Sequence, residues 1–124
     1  MRMDKMTSRL QNALADAQSL ALGRDNTAVE TLHLLSVLLE QRESGVMALL
    51  SRAGGREDEL RSRVDGALDR LPTLKSPSGE IGVGPEFMKV LNLADRLAQK
   101  AGDSFLSTEQ VLLAMFGDSA AAAV

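Results

Sequence analysis

Few residues in this chain are of types that could do chemistry, and they lie far apart. His33 is its one histidine, set in Leu32-His33-Leu34-Leu35, and there is no cysteine. An imidazole acts as a base or a metal donor only with suitable neighbours, and nothing in the chain completes a His-centred triad or a metal site. A lone helix histidine of this kind is expected as a satisfied or partly exposed packing residue, not a proton switch. Glu57-Asp58-Glu59 gathers three carboxylates, but at a helix start, where the dipole favours them without any catalytic role. The glycine spacings that cradle phosphates, the paired histidines of zinc proteases and the nucleophile elbow of hydrolases are all missing. The chain is therefore expected to be no enzyme and to carry no catalytic residue, metal or cofactor. Its function must be binding.

Three polar residues remain as candidates. Asp103 suits a turn that follows a helix-ending glycine, and Glu109 suits the first turn of the next helix. Those local roles suffice for both. The functional alternative sets the two carboxylates on the rim of an apolar groove, facing backbone amides or basic side chains of a bound peptide. Thr7 is either the cap of the first helix or a third polar contact there.

The elements that position these residues come in two copies. Shifting the sequence by 77 residues places Ala17 on Ala94, Leu20 on Leu97, Ala21 on Ala98 and Val29 on Leu106. The same register, without a gap, places Thr31 on Thr108, Leu34 on Val111, Leu35 on Leu112 and Leu38 on Met115. One helix–turn–helix unit is used twice, and differences between the copies point to function. Leu93 stands where the first copy has Asp16. At 100° per residue it lies beside Leu97 at the margin of the apolar stripe, widening that face towards solvent. Met88 also lies off the stripe, and methionine adapts to varied apolar ligands. The structural alternative is that Leu93 covers a neighbouring helix or the 72–84 loop.

Periodicity predicts the helices in turn. The first starts near Asp4 or Thr7, carries Leu10, Ala13, Leu14, Ala17, Leu20 and Ala21 on one stripe, and ends with Gly23 in the left-handed position. The second runs from about Thr31 to Gln41 and is apolar nearly all round, which places it in the middle of the domain. A short third helix follows Ser44 through Val46, Leu49 and Leu50 to Gly54-Gly55. The fourth buries Leu60, Val64, Ala67, Leu68 and Leu71, solvates Arg61, Arg63, Asp65 and Asp69, and closes at Pro72. Residues 72–84 form a linker. The fifth opens at Pro85 and buries Phe87, Val90, Leu91, Ala94, Leu97, Ala98 and Ala101. Ser107-Thr108-Glu109-Gln110 has the form of a capping box for the sixth, which runs through Val111, Leu112, Met115 and Phe116. Repeat 1 is thus expected over about 5–71 and repeat 2 over about 85–117, in one domain of 1–117 with a tail at 118–124.

Composition agrees with an all-α, duplicated helical domain. The 124 residues suffice for one core, and with three Phe and neither Tyr nor Trp that core must be built from Leu, Ala, Val and Met. The net charge of −3 offers no basic excess for nucleic acid. No apolar run approaches the ~20 residues of a membrane span, and Met1–Arg9 lacks the apolar core of a signal peptide. A cytoplasmic, monomeric domain is expected.

Leu14–Gly23, Leu32–Leu35, Leu68–Pro72 and above all Leu91–Glu109 give the chain a resemblance to the N-terminal domain of the ClpB family, bacterial AAA+ disaggregases of the Clp type. The likeness runs from Met1 to about Phe116. It implies a pseudo-twofold pair of helical repeats that engages unfolded or aggregated polypeptide through an apolar groove. The rest of such a protein would be an ATP- and Mg-dependent homohexamer cooperating with DnaK, none of whose ATPase motifs lies in this chain. The resemblance carries polar groove residues onto Thr7, Asp103 and Glu109, and groove leucines onto Leu93 and Leu97. Gln110 departs from it, since relatives tend to carry an apolar residue there. An adaptor-docking domain and a structural spacer regulating the ring are the alternative functions.

Overall fold

A computed structural model describes residues 3–41, 48, 51–52, 56–73 and 81–115. Within the described residues a 3-10 turn at Met3–Lys5 leads into the helices α1 (Ser8–Gly23), α2 (Thr31–Gln41), α3 (Glu57–Asp69), α4 (Pro85–Lys100) and α5 (Thr108–Met115). Most of the predicted helix after Ser44, the middle of the 72–84 linker, Phe116 and the tail lie outside the described residues. Helix α2 is central, packing against α1, α3 and α4, while α5 packs on α4. Its sequence explains the position: Thr31 to Leu35 and Val37 to Leu39 are all buried, and a helix without a polar face must be surrounded. The core joins Leu10, Ala13, Ala17 and Ala21 of α1 to Phe87, Val90, Leu91, Ala94 and Ala98 of α4.

Thr7 caps α1, its Oγ1 accepting from the Leu10 amide at 3.2 Å. Asp4 falls in the preceding 3-10 turn. Pro85 sits at the start of α4, where its missing amide costs nothing. The Ser107–Gln110 capping box closes in both directions: the Ser107 amide donates to Gln110 Oε1 at 2.9 Å, and the Gln110 amide to Ser107 Oγ at 3.3 Å.

Both long helices end in the same way. After α1 the Asn26 amide donates to the Ala21 carbonyl and the Asp25 amide to that of Leu22. After α4 the Asp103 amide donates to Ala98 and the Gly102 amide to Gln99. This paired bonding needs a left-handed residue just past the helix. In the second copy that residue is Gly102, with φ 79°. In the first it is Asp25, with φ 58°, and not Gly23, which is the last helical residue. Gly23 is the obvious candidate by type; the bonding register puts the position two residues later, where aspartate's short side chain tolerates it.

The two repeats are tied by a reciprocal pair of short parallel bridges, Met6 with Leu106 and Val29 with Val83. The 77-residue shift converts one into the other with partners exchanged.

Candidate functional site

The candidate residues divide between the turn before α5 and the flanks of α4. Thr7 spends its hydroxyl on the α1 cap, and its amide donates to the Leu106 carbonyl at 2.9 Å, while the Leu106 amide donates to Lys5 at 2.7 Å. The start of α1 is thereby fixed against the turn that carries Asp103. The exposed Asp103 carboxylate accepts from Gln110 Nε2. Glu109, half-buried in the first turn of α5, accepts from Thr108 Oγ1 at 3.2 Å. Thr7, Asp103 and Glu109 therefore gather around one turn, and each has a local structural partner.

The apolar candidates do not gather. Leu97, placed in the buried stripe by its spacing, is 47% exposed, and Ala101 is exposed too. Leu97 lies about a quarter-turn from the middle of the stripe defined by Phe87, Ala94 and Ala98, at its margin, where burial depends on which neighbouring element covers that flank. Leu93, read either as an exposed addition or as a cover over a neighbouring element, is half-buried and packs against the core, which favours the second. Met88 is 40% exposed, but it stands roughly two and a half turns from Leu97, on the opposite flank of α4. Asp95 is buried instead, accepting from Gln99 Nε2 at 3.1 Å.

Two exposed residues escape a reading of helical periodicity: Phe105 at 56% and Leu113 at 53%. The repeat register could have found them, because it places Phe105 on Ala28 and Leu113 on Ser36. Val83 is also exposed, and its counterpart Met6 is buried. Among the described residues, every large exposed apolar side chain lies in the second repeat or, for Val83, in the linker just ahead of it.

His33 is buried and fully bonded. Its Nδ1 accepts from the Glu30 amide at 2.8 Å, so the ring carries its proton on Nε2, which meets Asn26 Oδ1 at 2.7 Å. Burial pushes its pKa down to about 4, and the charge of Arg24 acts in the same direction. The ring stays neutral and structural. Among the described residues no three His, Cys, Asp or Glu side chains cluster as metal donors, and no helix is long and apolar enough to cross a membrane.

The chain is an all-helical domain of two related repeats, with its polar turn residues in local structural use. The chain belongs to the family of the Clp repeat (R) N-terminal domain, which matches residues 5–124. It is 46% identical over 112 residues to the chaperone protein ClpB of Dichelobacter nodosus, covering 90% of this chain and 13% of that protein. With ClpB of Pseudomonas putida it shares 44% over 119 residues, 96% of this chain and 14% of the relative. The chain thus spans about a seventh of the length of these relatives. Its fold is that of the Hsp104 N-terminal domain from Candida albicans, with a TM-score of 0.86 at 23% identity over 96% of this chain and 78% of that one. A ClpV N-domain in complex with a VipB peptide superposes with a TM-score of 0.75 at 24% identity, over 95% of this chain and 71% of the other. The family is a helical N-terminal domain and not an ATPase domain.

Proposed function

We propose that this domain binds exposed apolar segments of unfolded or aggregated polypeptides and passes them to an AAA+ ring, as part of an ATP-dependent disaggregase. The observation that carries the proposal is the set of large exposed apolar side chains Met88, Leu97, Phe105 and Leu113 in the second repeat, three of which stand where the first has Gln11, Ala28 and Ser36, while Leu97 stands where it has Leu20. Single exposed leucines are ordinary, but several large apolar side chains exposed in one repeat, three of them in place of small or polar residues of the other, favour a binding surface. Leu97, Phe105 and Leu113 supply apolar surface in this proposal, with Thr7, Asp103 and Glu109 as polar contacts and Leu93 at its margin. Met88, on the other flank of α4, contributes separately. The expected affinity is weak, roughly micromolar to millimolar, as befits a few apolar side chains.

Titrating the isotope-labelled chain with a reduced, carboxymethylated protein should shift amide signals near Leu97, Asp103 and Phe105. Leu97→Asp and Phe105→Asp should each weaken binding about tenfold without altering the helical circular dichroism. Shifts confined to α1 and α3 would overturn the proposal. The ClpV–VipB complex favours a second reading, docking of one defined partner. Saturable binding of a single folded protein, with no response to unfolded chains, would establish that instead.

A further inference from the structure

The duplicated helices begin in matching ways, with one exception. Ahead of α2 the Glu30 amide donates to His33 Nδ1, and His33 Nε2 donates to Asn26 Oδ1. Ahead of α5 the Ser107 amide donates to Gln110 Oε1, and Gln110 Nε2 donates to Asp103. The 77-residue register carries Glu30 to Ser107, His33 to Gln110 and Asn26 to Asp103. Gln110 thus repeats with an amide the relay that His33 makes with a ring.

The exception is the other pair, α1 and α4. Thr7 caps α1 by accepting from the Leu10 amide. The register places Thr7 on Gly84 and Leu10 on Phe87, so α4 has a glycine where the capping hydroxyl should be. Backbone shape does not require that glycine. Gly84 has φ −66° and ψ 153°, and Thr7 has φ −63° and ψ 156°. The first amides of a helix have no partner within it, and Pro85 removes one of them. The Phe87 amide remains, on a residue that is 0% exposed, and no backbone carbonyl among the described residues receives it. A buried amide without an acceptor is costly.

The carboxylate of Glu30 stands where the missing side chain would be. A Cβ added to Gly84 would lie 2.8 Å from Glu30 Oε2 and closer still to Oε1. The backbone bridge brings the two residues together, since the Gly84 amide donates to the Val29 carbonyl at 2.8 Å. At the matching bridge the Thr7 amide donates to the Leu106 carbonyl, and the residue that follows is the short Ser107. A long acid thus accompanies the bare cap position, and a short serine accompanies the threonine.

We propose that Glu30 is the cap of α4, supplied across the repeat boundary: its carboxylate accepts from the Phe87 amide, and position 84 is glycine to admit it. A charged acceptor at a helix start bonds more strongly than a hydroxyl and also meets the positive end of the helix dipole. The turn before α2 thereby latches the first turn of the helix that bears Leu97. The latch is independent of what the domain binds.

The test makes one substitution in two backgrounds and reads the urea midpoint. Gly84→Ser in the unaltered chain drives its Cβ into the Glu30 carboxylate, and the midpoint should fall. In Glu30→Ala the serine has room and gives α4 the arrangement that Thr7 gives α1, so the midpoint should rise. Glu30→Asp, one methylene shorter, provides the second background should Glu30→Ala not fold. Hydrogen exchange adds a local readout. Without the carboxylate the Phe87 amide should exchange faster on the order of tenfold, relative to the matching Leu10 amide. A fall of similar size in both backgrounds, or Phe87 exchange that ignores Glu30, would overturn the inference.

Discussion

Asp25 and Gly102 hold the same backbone position in the two repeats, and only the second has the residue type that position prefers. Gly102 can adopt a positive φ freely, whereas Asp25 does so at a cost. Asp25→Gly should therefore stabilise the chain by about 0.5 kcal/mol, and Gly102→Ala should destabilise it by about 1 kcal/mol. Urea titrations of both variants check this. His33 gives a pH prediction. Its folded pKa of about 4 lies below the ordinary 6.5, so above pH 6.5 the ring is neutral in both the folded and the unfolded chain. As pH falls from 6.5 towards 4, the unfolded chain takes up a proton that the folded chain refuses, and stability is lost by roughly 2–3 kcal/mol. Gln110 shows that an amide can serve in this relay, so His33→Gln should keep the fold and remove that part of the acid sensitivity. Denaturant midpoints of the two proteins at pH 7 and pH 4.5 would show it.

At the level of single helices, periodicity locates α1, α3 and α4 by an apolar face and α2 by being apolar nearly all round, while Thr7, Pro85 and the Ser107–Gln110 box mark the starts of α1, α4 and α5. The Ser107–Gln110 box, Pro85 and Thr7 all do locally what their types suggest. What the pattern does not resolve is the edge of a stripe. Leu93 and Leu97 lie close together in angle on α4, yet Leu93 packs on the core and Leu97 projects from it. That choice depends on which neighbouring helix covers which flank, and spacing within one helix carries no such information. Asp95 shows the same limit, since its burial relies on Gln99 and the surrounding fold. The relay through Gln110 is hidden for another reason: matching apolar positions between the repeats leaves their polar pairs, His33 with Gln110 and Asn26 with Asp103, unremarked. Leu93→Asp should accordingly cost about 1–3 kcal/mol, and Leu97→Asp less than about 0.5 kcal/mol. Thermal melts of the pair would separate the packed leucine from the projecting one.

Across the whole molecule, the reciprocal bridges make each repeat complete the other. Leu106 is buried against the segment ahead of α1, and Val29 receives the segment ahead of α4, its amide donating to the Gly82 carbonyl and its carbonyl accepting from the Gly84 amide. Gly84 is tightly approached here: a Cβ added to it would lie 2.8 Å from the Glu30 carboxyl carbon. Met6 is buried in the core despite its place near the start of the chain. Met6→Ala should cost about 2–3 kcal/mol. It should also speed amide exchange at Thr7 and Leu106 together, which hydrogen-exchange mass spectrometry would detect.

These bridges also set the order in which the chain can finish folding during synthesis. Helices α1 and α2 can pair as soon as they leave the ribosome, but the Lys5 carbonyl and the Thr7 amide are bonded to Leu106. Closing so long a loop adds little free energy, since each doubling of length costs only about 0.6 kcal/mol, yet non-local contacts of this kind form late. Until residue 106 emerges, residues 5–7 lack this bridge, and Met6 stays open to proteases and to neighbouring chains. Residues 5–7, made well before Leu106, are among the last to be secured.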